Sequence, residues 1–142
     1  MRRRLAAVVV LLGVLGGALA ACSNDGGSQE SFCARLPETP DLADVVRDLD
    51  SAEPEQLDDR LSNAADSYGD LRNASPDEIR DDVGRVTETV EGILGVVREH
   101  IDDRDALRAE LASRKAELLG AGPSAQRVVD YARDACGIDL GS

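Results

Sequence analysis

Tryptophan is absent from this 142-residue chain, and Phe32, Tyr68 and Tyr131 are its only aromatic side chains. Carbohydrate and nucleobase platforms are built on aromatic faces, so both lose their usual means of stacking. Histidine occurs once, at His100. That excludes a His-Glu-x-x-His zinc helix and leaves any Ser-His-Asp arrangement dependent on a single ring. No Gly-x-Ser-x-Gly elbow, phosphate-cradling glycine loop or dinucleotide fingerprint is present. The sequence thus names no catalytic residue, no cofactor-binding motif and no metal-ligand set, and the expectation is a protein that is not an enzyme.

Positive charge is also scarce. The chain carries 16 basic and 28 acidic residues, and three of the basic ones are Arg2, Arg3 and Arg4. Without those three the balance is 13 against 28, a net −15. Such a surface argues against nucleic acid and against an anionic membrane face as partners. It leaves room for a cationic envelope protein, although acidic solubility explains the balance equally well. Lysine appears only as Lys115 beside frequent arginine, alanine, valine and glycine, the bias that a GC-rich genome writes.

One long apolar run is present, at 5–21, preceded by three arginines and closed by Cys22. A positive n-region followed by an apolar h-region is a secretory signal. Gly13, Gly16 and Gly17 weaken a helix there, and no basic stop-transfer sequence follows, so a transmembrane span is disfavoured. The arginines also leave a twin-arginine export route open. Leu19-Ala20-Ala21-Cys22 resembles the bacterial lipobox. The resemblance implies a diacylglyceryl thioether on the Cys22 sulfur, cleavage before it, and retention on the outer face of the cell membrane. Two or more acyl chains give stable anchoring, at about 0.8 kcal/mol per buried methylene. The plainer alternative is an ordinary signal cut near Ala21, with Cys22 a spare thiol. These readings divide the chain into a signal peptide at 1–21, a polar tether at 22–30 and a domain at 31–142.

If Cys22 carries lipid, Cys33 and Cys136 remain, and an even pair in an oxidising compartment reads as one disulfide. The alternative is two buried thiols. A closed loop of about a hundred residues corresponds to roughly 4–5 kcal/mol in the chain-entropy account.

The rest is helical in pattern. A short helix around 31–36 ends at Pro37. Leu42, Val45, Val46 and Leu49 share one helical face, and Leu57, Leu61, Ala64, Ala65, Tyr68 and Leu71 form a second stripe. Ser75-Pro76-Asp77-Glu78 has the form of a capping box. It opens a seam of Ile79, Val83, Val86, Val90, Ile93 and Val97, expected to be the central helix. Asp102-Asp103 opens a further helix through Leu107, Leu111, Leu118 and Leu119, and 120–123 breaks it. A last helix brings Val128, Val129, Ala132 and Cys136 inward before Gly137 as a left-handed cap. No sustained period-two alternation occurs. The predicted fold is all-α, an up-down helical bundle of four main helices plus a short N-terminal one, closed by one disulfide.

Phe32-Cys33 and the closing Tyr131-Ala132-Arg133-Asp134-Ala135-Cys136-Gly137, together with the lipobox, resemble small secreted helical lipoproteins of actinobacteria. The resemblance implies export, anchoring through Cys22 and a helical domain tied by Cys33 and Cys136; it brings no active site.

Acidic clusters occur at 58–59, 81–82 and 102–105, and the last invites a calcium reading, but it lacks the glycine and distal glutamate of an EF-hand loop. They read more simply as helix starts and solvated faces. Gly84, Gly92 and Gly95 in one helix suggest either close helix approach or a groove. The expected function is a membrane-anchored, non-enzymatic binding or structural module. The alternative is a carrier or sensor of an apolar ligand held between helices.

Overall fold

The computed structural model describes residues 26–46 and 53–140. Cys22, the lipobox and Leu49 therefore lie outside the described residues. Within them every regular element is helical, as the periodicity predicts. Its helices are α1 (Gln29–Arg35), α2 (Leu42–Val46), α3 (Pro54–Ala74), α4 (Asp77–Glu99), α5 (Arg104–Ser113), α6 (Lys115–Gly120) and α7 (Gly122–Tyr131). A 3-10 turn at Leu36–Glu38 follows α1, and a π-helical turn at Ala132–Cys136 ends α7. Helix α1 begins at Gln29, inside the stretch expected to be tether, because the Ser28 side chain accepts a hydrogen bond from the Ser31 amide.

Two long helices form the frame. Helices α3 and α4 are antiparallel, and their contacts keep one register along their length. Arg98 pairs with Asp58 at one end, and the Thr87 hydroxyl donates to the Tyr68 carbonyl in the middle. Arg72 reaches Glu88 nearer the other end. Helix α4 is central as expected, packing against α3, α5 and α7. It buries more than the single seam read from the sequence, adding Thr87, Leu94 and Val96. A helix with neighbours on several sides cannot keep a single apolar stripe.

The helix expected from Asp102 to Leu119 is divided. It breaks at Arg114, and α5, α6 and α7 succeed one another in short segments. Neither α5 nor α6 buries any residue fully. Asp103 caps α5 by accepting from the Ala106 amide, as its place at a helix start implies. Gly137, at φ 67°, closes the π-helical turn in the left-handed region as expected.

The capping box does not form. The Ser75 hydroxyl turns back and donates to the Leu71 carbonyl at 2.7 Å, and no side chain caps α4. The two-residue turn buries Ser75 completely, and its hydroxyl serves the orphan carbonyls at the end of α3. The Ser75 carbonyl in turn accepts from the Arg80 guanidinium.

The core has two parts. One gathers Phe32, Leu36, Leu71, Ile79, Val83, Val128 and Ala132 around the disulfide end. The other gathers Val45, Leu57, Leu61, Ala64, Val90, Leu94 and Val97 toward the opposite end. Val86 packs against both.

Candidate functional site

Where the two core clusters meet, their side chains do not fill the space. An apolar groove of about 300 Å³ opens there, near the lower end of the range for small-molecule sites. Its floor is Leu71 and Val86 from the α3–α4 frame, and one wall is Val128 and Val129 of α7. Leu36 and the segment 39–42 make the opposite wall, and Leu140 forms a lip. Leu140 is 41 % exposed, one of two large apolar side chains left in water among the described residues. The other is Leu119.

Polar groups at the groove are already engaged with one another. The Tyr68 hydroxyl donates to the Pro40 carbonyl at 3.1 Å, fixing the segment before α2 over α3. Burial, and then the Asp41 carboxylate, push the Tyr68 phenol above its ordinary value, so it remains a neutral donor. Asp41 itself accepts from the Ala43 amide.

Helix α7, which carries one wall, is held to α4 by charge. Both carboxylate oxygens of Asp82 accept from the Arg127 guanidinium, which also donates to the buried Ser124 hydroxyl. A two-pronged pair of this kind fixes orientation as well as distance. Hydrogen bonding from Arg127 holds the Asp82 carboxyl below the usual carboxylate range.

The disulfide is formed between Cys33 and Cys136, with Cα atoms 5.4 Å apart. Beside it Phe32 and Tyr131 meet edge to face at 5.5 Å. The Tyr131 hydroxyl is out of water and has no hydrogen-bond partner among the described residues. Burial, and then the nearby Glu78 carboxylate, raise its phenol, though the two do not reach hydrogen-bonding geometry. Leu36 follows Cys33 by three residues and Leu140 follows Cys136 by four. The bond thus ties together the two segments that supply opposite edges of the groove.

Other sequence candidates separate in space. His100 caps the end of α4, donating its backbone N–H to the Val96 carbonyl. Asp58 pairs with Arg98, Asp82 with Arg127, and Asp103 caps α5. Among the described residues no three His, Cys, Asp or Glu side chains converge as metal ligands. The glycines of α4 do not form the groove. Gly84 lies under the Arg72 guanidinium, Gly92 has only Arg114 within reach, and Gly95 is exposed with nothing near it. The groove escaped sequence reading because it joins residues from 36 to 140. Its one local sign was Leu140, a leucine placed just beyond the terminating Gly137.

Comparison with protein-family models, curated proteins and solved structures finds no match for this chain.

Proposed function

We propose that this protein is a lipid-anchored, non-enzymatic binding module of the cell envelope, exported and held on the outer face of the membrane through Cys22. The groove at the junction of the two core clusters carries the binding part of this reading. It is concave and mostly apolar, and the nearby Tyr68 hydroxyl is already satisfied, so entry of apolar matter does not strand that group. The sequence of residues 1–22 carries the anchoring part. We read the whole as an up-down bundle with α5, α6 and α7 as one broken return; the antiparallel α3–α4 frame supports this.

The groove also favours a second, narrower reading, in which the module carries or senses a small apolar ligand between its helices. The glycines of α4 lend that reading nothing, since they lie elsewhere. A cationic envelope protein stays a candidate partner for the acidic surface, and the charge argues against nucleic acid.

Titration of the oxidised soluble domain with a neutral fluorescent naphthylamine tests the groove. Saturable binding to a single site is expected, lost in Val129→Arg while the melting temperature stays near that of the parent. Absence of saturable binding, or binding indifferent to Val129→Arg, would overturn the groove reading. Turnover of any substrate that disappears on replacing one carboxylate would overturn the non-enzymatic one.

A further inference from the structure

The chain leaves its signal sequence and enters the domain through Gly26 and Gly27, and neither is free of the fold. A Cβ on Gly27 would overlap the Ala74 carbonyl group and sit 2.5 Å from the Ser75 nitrogen. One on Gly26 would sit 2.5 Å from Arg80 Nη2. At Gly27 the entering backbone is thus pressed against the turn between α3 and α4, in a space that only glycine fits, whereas at Gly26 the neighbour is the movable end of the Arg80 side chain. Ser28 then caps α1, and the Gln29 side chain donates to the Ala135 carbonyl of the π-helical turn. The disulfide at Cys33, four residues after Gln29, locks α1 to that turn.

This packing consumes most of the tether. Four peptide units separate Cys22 from Gly26, a reach of at most about 14 Å. A spacer free as far as residue 30 would reach about twice that distance.

From these contacts we infer that the pole formed by residues 74–77 and the N-terminus of α1 is a membrane-apposed face, clamped against the lipid surface by Gly26 and Gly27. The inference rests on the anchoring of Cys22 proposed above. The 23 residues of α4 place the opposite pole about 34 Å further out. Charge agrees with that orientation. The far pole exposes Glu55, Asp58, Asp59, Glu99, Asp102 and Asp103 against Arg98 and Arg104, a net acidic surface that an anionic leaflet repels. The near pole is closer to balance, with Arg72 and Arg80 beside Asp70, Asp77 and Glu78. The groove lies between the poles, held at a fixed height above the bilayer.

Energy transfer to a headgroup acceptor tests the face. The lipidated full chain is reconstituted in vesicles of phosphatidylethanolamine and phosphatidylglycerol. With the disulfide intact, a donor is attached at Asn73→Cys near the turn or at Glu99→Cys at the far end. At least about twofold more transfer is expected from the near position, given the helix length between them. Eight Gly/Ser residues inserted between Ser23 and Asn24 leave the packing untouched and should erase most of the difference. Gly27→Val should do the same by expelling the segment from the turn. Equal transfer from both positions in membrane-bound parent chain would overturn the clamped face alone. A difference that survives the insertion would overturn it too. A chain that does not associate with vesicles would overturn the anchor itself, and the face with it.

Discussion

Cys33 and Cys136 stand 103 residues apart in the chain and close the domain into one loop. Replacing Cys33→Ser should lower stability by roughly 2–5 kcal/mol, read as a shift in the urea midpoint without reductant. An unchanged midpoint would show that packing of Phe32 on Tyr131 suffices by itself. Because Leu36 and Leu140 ride on the two cysteine segments, the same variant should weaken binding in the groove. Asp82 acts differently. Its carboxyl titrates below the ordinary 3.8 in the folded chain because Arg127 donates to its charged form. A depressed folded value contributes stability that is complete above the unfolded value and is lost as pH falls through the folded one. Asp82→Asn should therefore flatten the loss of stability below about pH 3.8 and leave the neutral-pH slope unchanged. Acid melts of parent and variant at several pH values check this; parallel curves would refute it.

At the scale of elements, helix α4 follows its sequence closely and its neighbours less so. Of the seam read from the sequence, Ile79, Val83, Val90 and Val97 are buried and Val86 and Ile93 half-buried, since spacing puts those residues on one face. Its start is not as read. Ser75 has the composition of a cap, yet the shortness of the turn commits its hydroxyl to α3. Local pattern supplies a serine that can bond in either direction, and the approach of two helices selects one. The same helix carries a substitution that should help. Gly95 is exposed and a Cβ there meets nothing within 4 Å, so Gly95→Ala should stabilise by about 0.5–1 kcal/mol. A melting temperature unchanged or lowered would show that the open face of α4 is contacted by something else.

Across the whole molecule the balance of charge is negative. A domain of this charge adds no attraction to an anionic leaflet, so the retention proposed above would rest on lipid. Cys22→Ala should release the protein or trap its uncleaved precursor, visible by fractionation of cells and by the mass of the chain; unchanged retention and processing would refute the anchor. The sequence by itself determined the helical class, the main apolar stripes and the glycine that ends the last turn. Each follows from residue spacing or a backbone angle that local chemistry dictates. The pairing of Cys33 with Cys136 was legible only on the condition that Cys22 is set aside, and the approach of α1 to the last turn is what joins them. Tertiary structure alone decided the groove, the fate of Ser75 and the close seat of Gly27. Those depend on which segments meet and on how much room they leave, and distant residues such as Leu36, Val86 and Val128 carry no mark of their future contact.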